Sequence, residues 1–452
     1  RLTCGGRCAT ISRRMQKQEK RKKCMDLTKQ FFKYVSQNIL GMIGFSCYVL
    51  ADSYFISIAK GADGLTALNL VMPLYSIIFS IGEMIGVGSA IRYAISKIKK
   101  DADADDYFWN ALIWCILSSM LFVFAGIFFS ADIMRVLGAD EHIVAVGNNY
   151  TKIFMCFAPM FMCNYVTNAF VRNDGAPGIA MSATLFSSLF NIVFDYILMF
   201  PMNLGMEGAA LATALSPIIG MGICSIHFFS KKSSVRLVVC KPSVRKLVAG
   251  SQLGVSAFVG EMSSAVITLA FNFVILKLTG NVGVAAYGVV ANIAIVTTAV
   301  FNGVAQGSQP LISSCFGRGD KDGCTQLKRM GYTTAFVLAA VMYSILFIFA
   351  EQFVAVFNSE GSEMLRLYAT EGVKLYFIGI FFAGINIVGG GAFSATEDAF
   401  KAAVVSVARG FVLILGAVFV MSALFGMTGV WLAYAVAEGI TTFIMLVMAL
   451  RV

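Results

Sequence analysis

Charged residues are scarce in this chain. Only 13% of its 452 residues are Asp, Glu, Lys or Arg, whereas 58% are apolar and the mean hydropathy is +0.78. A soluble domain of this length is usually about a quarter charged. A chain this apolar lacks the polar groups needed to cover a water-facing surface. The composition therefore argues against a soluble protein and predicts an integral membrane protein whose surface faces lipid.

Histidine is almost absent, and the cysteines show no metal-binding spacing. His142 and His227 are the only histidines, so a histidine-based metal or catalytic site is not expected. The 11 cysteines are scattered through apolar segments, where free cysteine serves as a small apolar residue. No G-x4-GK[ST] loop occurs, which argues against a nucleotide-driven pump. We expect that the chain is not an enzyme and has no tightly bound cofactor.

Long apolar stretches predict twelve membrane helices, because about 20 apolar residues are needed to cross a bilayer. Proline is scarce at 7 and glycine common at 42, which suits close helix packing. The predicted cores are 34–58, 66–94, 107–130, 146–171, 179–200, 206–229, 248–277, 283–312, 331–355, 367–394, 402–424 and 427–450. The predicted organisation is a basic N-terminal tail (1–30), an N-terminal six-helix half (31–229), a cytoplasmic linker (230–247) and a C-terminal six-helix half (248–452).

Lysine and arginine fix the predicted orientation. With the N-terminus in the cytoplasm, alternate loops place 28 of the 35 on the inner side and 6 on the outer side, and Arg409 lies inside a span. This asymmetry follows the positive-inside rule, and it puts both termini in the cytoplasm. It also explains the net charge of +10 without a nucleic-acid partner. We expect a multi-pass monomer in the plasma (inner) membrane.

The two halves repeat each other in sequence. Gly61 aligns with Gly280 at an offset of 219, and "GMEGAALA" at 205–212 aligns with "GMTGVWLA" at 426–433 at an offset of 221. Six helices is an even number, so both halves enter the membrane in the same direction. The prediction is a parallel repeat around an axis normal to the membrane, with a central cavity between halves that rock against each other.

An ionisable side chain inside a membrane span costs several kcal/mol unless it has a partner or a function. The candidates are Asp52, Glu83, Asp195, Glu261, Arg409 and Glu438. Arg409 and Glu438 lie on adjacent helices, and we interpret them as a structural ion pair. Glu261 has no evident basic partner, which leaves open a second proton or cation site or a contact for a cationic substrate. Glu83 is a weaker candidate of the same kind.

Four polar residues are predicted to share one level of the outer leaflet. Asp52, Asp195 and Thr213 each lie about five to seven residues from the outer end of their helix, at roughly 1.5 Å per residue. Asn191 is one turn from Asp195 on the same face. Carboxylate, amide and hydroxyl oxygens suit a proton or a hard cation such as Na⁺. Neighbouring carboxylates also raise each other's affinity for protons. Helix-to-helix hydrogen bonding is the alternative role for these groups.

The most specific sequence stretches are "ADSYFIS" at 51–57, "GLTALNLVMPL" at 64–74 and "RNDGAPGIAMSATLFSSLFNIVFDYILMF" at 172–200. From about residue 30 to 450 the chain resembles the multidrug and toxic compound extrusion (MATE) family. The resemblance favours the branch named after a DNA-damage-inducible protein (DinF-like). In that branch the coupling H⁺ or Na⁺ uses positions that match Asp52, Asn191, Asp195 and Thr213.

Two departures from the family pattern stand out. Gln37 occupies a position where some members of that branch have a proline that bends the first helix. Another branch couples Na⁺ through acids in the seventh and tenth helices. Glu261 resembles the first of these, but the region near Ala383 has no acid, and Asn386 is the nearest polar residue. The second site is therefore expected to be incomplete.

The resemblance implies an antiporter that exports amphiphilic, often cationic, drugs and toxic compounds in exchange for H⁺ or Na⁺ by alternating access. The alternative is a flippase of lipid-linked precursors, which shares the broad architecture. A flippase of anionic head groups is expected to line its cavity with several arginines. The chain has essentially one arginine deep inside a predicted span, Arg409, which disfavours this alternative.

Overall fold

The computed structural model describes residues 4–357 and 362–450. Every regular element in these two ranges is helical. Nine helices there are long and apolar enough to cross a membrane, and a bent pair, Glu141–Cys156 with Ala158–Asn173, supplies a tenth span. Two of the nine, Val244–Gly317 and Ala399–Ala449, contain a glycine with non-helical backbone angles, at Gly280 and Gly426. Dividing them there gives twelve spans, which confirms the predicted all-α membrane fold.

The twelve helices follow one another with short connections. Their bounds are α1 (Met25–Gly61), α2 (Asp63–Lys99), α3 (Asp106–Val136), α4 (Glu141–Cys156 and Ala158–Asn173), α5 (Pro177–Met199), α6 (Gly205–Phe228), α7 (244–279), α8 (281–317), α9 (Lys321–Ile348), α10 (Glu363–Ala395), α11 (399–425) and α12 (427–450). The helix of α1 continues N-terminally to Cys4. A short helix, Ala350–Phe357, follows α9.

The sequence repeat appears again in the backbone. Gly61 and Gly280 have φ angles of 59° and 69°, and each one ends the first helix of its half. Gly205 and Gly426 have φ angles of 53° and 58°, and each lies at the start of the last helix of its half. Positive φ is strained for any residue with a Cβ. The aligned glycines therefore make the same turn at corresponding places in both halves.

Each half has its own apolar core, but the inner ends of two helices cross between the halves. The core of the N-terminal half includes Leu253 of α7. The core of the C-terminal half includes Phe31 and Val35 of α1. The close approach at these crossings depends on glycine: a Cβ on Gly307 of α8 would lie 2.7 Å from Val35 Cα. The two halves are thus seated directly on each other toward the inner side.

Polar contacts also join the halves at the inner side. Glu397, between α10 and α11, forms ion pairs with Arg92 and, at 3.4 Å, with Lys99 of α2. Lys246 at the start of α7 pairs with Asp106 at the start of α3. These contacts close the inner end of the space between the halves. On the outside of the bundle, apolar side chains such as Leu121 and Phe128 of α3 are exposed, as expected of a surface that faces lipid.

Candidate ion-coupling site

The structure brings together the residues of the predicted outer cluster. Asp52 lies on α1, Asn191 and Asp195 on α5, and Thr213 on α6, and all four side chains are buried. Asn191 Nδ2 donates to Thr213 Oγ1 at 3.2 Å. With its amide rotated by 180°, Asn191 instead donates to Asp195 Oδ2 at 3.1 Å and accepts from Thr213 Oγ1 and N at 3.2 and 3.3 Å. The rotated orientation satisfies more of the surrounding groups, so Asn191 links α5 to α6 beside a carboxylate.

Both aspartates keep an oxygen without a hydrogen-bond partner. Asp52 Oδ1 and Asp195 Oδ1 are buried, and no donor within the described ranges reaches them. Asp52 is also close enough to act on Asp195 electrostatically. A buried carboxylate oxygen without a partner carries a desolvation cost. A proton or a hard cation removes that cost, and Asn191 and Thr213 offer further oxygens beside it.

The cluster differs from a transition-metal site. Among residues 4–357 and 362–450 there is no group of three or more His, Cys, Asp or Glu side chains arranged to hold a metal. The two carboxylates would have to be completed by amide and hydroxyl oxygens. This donor set fits Na⁺ or a proton and contains no soft ligand for zinc or copper.

Three tyrosines around the cluster were not found by sequence reasoning. The hydroxyl groups of Tyr75 on α2 and Tyr150 on α4 are hydrogen-bonded to each other, and both tyrosines lie within the electrostatic field of Asp52. Tyr48 is one helical turn before Asp52 on α1 and also interacts electrostatically with Glu261 of α7. The tyrosines therefore place hydroxyl groups near the aspartates, two of them on helices, α2 and α4, that do not contribute a residue to the cluster.

Glu261 lies apart from the outer cluster, on the facing half. Its side chain is partly exposed, and it acts electrostatically on Glu83 of α2 and on Tyr165 of α4. Partial exposure of two glutamates inside membrane spans indicates that they line a space between the halves. The structure thus brings Glu261 near Glu83, which the sequence treated as a separate and weaker candidate.

Arg172, which the orientation prediction counts on the inner side, is buried among neighbouring helices. It lies in the last turn of α4 and is only 5% exposed. Its Nη1 donates to Gln306 Oε1 of α8 at 2.6 Å and to Asn38 Oδ1 of α1 at 3.4 Å.

Arg409 and Glu438 form the predicted ion pair. Arg409 Nη2 and Glu438 Oε1 are 2.6 Å apart, and Asn386 Nδ2 of α10 donates to Glu438 Oε2 at 2.7 Å. Arg409 lies in a π-helical turn, Ala408–Val412, within α11. Both oxygens of Glu438 are hydrogen-bonded, in contrast to those of Asp52 and Asp195. This carboxylate has the environment of a structural pair.

Two repeated six-helix halves, closed against each other at one side and holding a buried acidic cluster, define a membrane transporter of the alternating-access type. The MatE family model matches residues 38–197 and 257–420. The chain therefore belongs to the MATE family of transporters and is a multi-pass membrane protein, not an enzyme.

Named relatives agree with this membership, and solved structures share the fold. The chain is 27% identical over 405 residues to the multidrug export protein MepA of Staphylococcus aureus (strain MRSA252), covering 87% of both chains. It is 26% identical over 400 residues to MepA of Staphylococcus saprophyticus, again with 87% of both chains covered. A solved outward-facing MATE transporter of the MOP superfamily superposes with a TM-score of 0.88 at 20% identity, over 94% of this chain and 96% of that one. A MOP superfamily transporter from Pyrococcus furiosus gives a TM-score of 0.87 at 19% identity, over 94% of this chain and 95% of that one.

Proposed function

We propose that this chain is an antiporter that exports drug-like, amphiphilic and often cationic compounds from the plasma (inner) membrane in exchange for H⁺, Na⁺ or both. The observation that carries the proposal is the pair of buried aspartates, each with an oxygen that no described residue hydrogen-bonds. Membership of the family and the multidrug-export name of the relatives support the substrate class. The protein acts as a monomer in this proposal.

Charge balance gives the coupling mechanism. Asp52 and Asp195 together hold up to two negative charges in a membrane-buried cluster, which disfavours any state that seals the cluster from water. A proton or Na⁺ arriving from the outer side neutralises one charge, with Asn191 and Thr213 as additional ligands. Loading of the ion then displaces the substrate outward and allows the halves to rock. Release of the ion on the inner side returns the pump to its starting state.

The branch assignment is part of the same proposal. It rests on the four residues of the cluster, which match the coupling positions of the DinF-like branch. Bending of α1 at a proline is not part of the mechanism here, because Gln37 stands at that position. We propose Glu261 as a second acidic site or a substrate contact.

Efflux from proteoliposomes tests the proposal. A cationic dye is loaded into liposomes that contain the purified full chain, and a pH gradient and a Na⁺ gradient are imposed separately. We expect Asp52→Asn and Asp195→Asn each to abolish gradient-driven efflux. Asp132→Asn is the matched control, because Asp132 is exposed on α3 and pairs with Arg135. It should transport like the parent chain.

Two further substitutions separate the ions. Asn191→Leu and Thr213→Val remove neutral oxygens and leave both carboxylates, so they should weaken coupling to Na⁺ more than coupling to H⁺. Efflux that persists in both aspartate variants would make the cluster structural and turn attention to Glu261. If neither gradient moves any cationic dye, drug export is wrong, and lipid-linked precursors become the substrates to test.

A further inference from the structure

One glutamine of the C-terminal half is held at both ends of its amide by charged side chains of the N-terminal half. Gln306 Oε1 on α8 accepts from Arg172 Nη1 of α4 at 2.6 Å. Gln306 Nε2 donates to Glu83 Oε1 of α2 at 3.3 Å. We call these three side chains the clasp. It crosses the boundary between the halves, and Gln306 and Glu83 lie inside membrane spans, whereas Glu397 of the inner-side ion pairs lies between two spans.

The clasp can form only when α8 is fully seated on α1. Gln306 lies between two glycines of α8 that pack against the α1 backbone. A Cβ at Gly303 would lie 2.6 Å from Ile39 Cα, and one at Gly307 would lie 2.7 Å from Val35 Cα. Real Cβ atoms essentially never come so close to another atom, so the two helices touch through their backbones here. Any rocking that opens the inner side must separate this contact and pull Gln306 out of the clasp.

The charges in the clasp explain why this separation has a cost. Arg172 is buried, its hydrogen bonds within the described ranges go to the neutral oxygens of Gln306 and Asn38, and its Nε has no partner there. Removing Gln306 would leave a buried guanidinium with one weak acceptor, which is unfavourable. Glu83 is partly exposed to the space between the halves and interacts electrostatically with both Glu261 and Arg172. When Glu83 and Glu261 are both ionised, their two carboxylates and the one guanidinium of Arg172 leave one negative charge in excess.

We propose that the clasp of Arg172, Gln306 and Glu83 is the gate that holds the inner side closed, and that the positively charged group of a substrate opens it by binding Glu83. The excess negative charge attracts one cation from the space between the halves. A cation on Glu83 competes with the amide of Gln306 for the carboxylate and also repels Arg172. Gln306 then loses its hydrogen bonds to both charged side chains. This inference rests on the proposed export function and assigns Glu83 a substrate contact within it.

Distance measurements across the inner side test the clasp. Ketone-bearing amino acids at Lys100 and Lys321, which are exposed on opposite halves, allow spin labelling that leaves the native cysteines untouched. Distances are measured by pulsed electron spin resonance on the full chain in lipid nanodiscs, without substrate or ion gradient. Gln306→Ala should raise the ratio of inner-open to inner-closed molecules about tenfold, because it removes a hydrogen bond to a charged group. Ser308→Ala is the control: its hydroxyl donates to Ala305 O within the same helix, and its distances should match the parent's.

The role of Glu83 is tested with a charged and an uncharged probe. Tetraphenylphosphonium should lengthen the inner distance in the parent chain, whereas uncharged triphenylphosphine oxide should not. In Glu83→Gln the cation should have no such effect. If folded Gln306→Ala keeps the parent's distances, the clasp is not the gate. If tetraphenylphosphonium acts equally on Glu83→Gln, the cation does not open the gate through Glu83. Dye efflux from liposomes by the parent reports on the export function separately, since the distances without substrate require no transport.

Discussion

Replacing one member of the Arg409–Glu438 pair should destabilise the protein strongly. Glu438 is 2% exposed, accepts from Arg409 Nε and Nη2 at 3.0 and 2.6 Å, and accepts from Asn386 Nδ2 at 2.7 Å. Arg409→Met leaves the buried carboxylate with Asn386 as its remaining donor. Breaking a buried ion pair from one side costs about 3–5 kcal/mol. Glu438→Leu should cost a similar amount, because it leaves the guanidinium of Arg409 unpaired in a span.

The double variant should recover most of this loss. Arg409→Met with Glu438→Leu replaces the pair by apolar side chains of similar size, and such replacements are often neutral or stabilising. The free energy of unfolding can be followed by titrating sodium dodecyl sulfate into protein in dodecylmaltoside, with tryptophan fluorescence as the signal. Trp431 is fully buried on α12, near the pair in sequence, and should report its environment. The coupling energy comes from the cycle of two single variants and the double variant.

The same variants distinguish a structural pair from a transport site. If the pair is structural, the double variant should export cationic dye at the parent's rate once folded protein is matched. A loss equal to the sum of the two single variants would refute the reasoning, because the two charges would then not depend on each other. A double variant that is stable but unable to transport would place Arg409 and Glu438 on the transport path.

Other predictions follow from the same structure. Gly61→Ala should destabilise the protein by roughly 1–2 kcal/mol, since Gly61 has a φ of 59° that a Cβ disfavours, as measured by the same detergent titration. Gly222→Ala is its control: a Cβ there meets no atom within 4 Å, so the change should be neutral or slightly stabilising, and an equal loss in both variants would contradict the argument. Glu397→Gln removes the ion pairs with Arg92 and Lys99. Partly exposed pairs contribute about 0–1 kcal/mol, so the inner-side distances should shift less than in Gln306→Ala, and high salt should shrink the difference between Glu397→Gln and the parent. A larger effect of Glu397→Gln than of Gln306→Ala would mean that the ion pairs of Glu397, not the clasp, hold the inner side closed.

The helices were largely predictable because apolar length alone identifies a membrane span. Their ends were less so. The second span was predicted at 66–94, but α2 runs over Asp63–Lys99, because polar residues at helix ends do not stop the backbone hydrogen bonds. The break in α4 at Phe157 was not predicted, although Pro159 occupies one of the first positions of the following helix. The turns at Gly61 and Gly280 were visible only as aligned glycines.

The candidate site was predictable in part. Depth along each helix placed Asp52, Asp195 and Thr213 at one level, and the structure brings them together. Depth does not give the rotation of a helix about its axis or the order of helices around the cavity. The contacts of Tyr75 with Tyr150, and of Arg172 with Gln306, depend on both. Sequence alone therefore identified the residues of one cluster and missed the contacts that join the two halves.

The buried carboxylates of this chain differ in how completely they are hydrogen-bonded, and the difference fits the roles proposed for them. Both oxygens of Glu438 are satisfied within one half, so nothing is gained when an ion arrives there. Asp52 and Asp195 each have an oxygen without a partner among the described residues, so in the proposed mechanism an arriving ion lowers the energy of the state that holds it. Glu83 is bonded across the boundary between the halves, so a cation that binds it changes the contact that must break. On these proposals, an arriving cation exchanges the hydrogen bond that crosses the boundary, whereas the pair of Arg409 and Glu438 stays intact inside its own half.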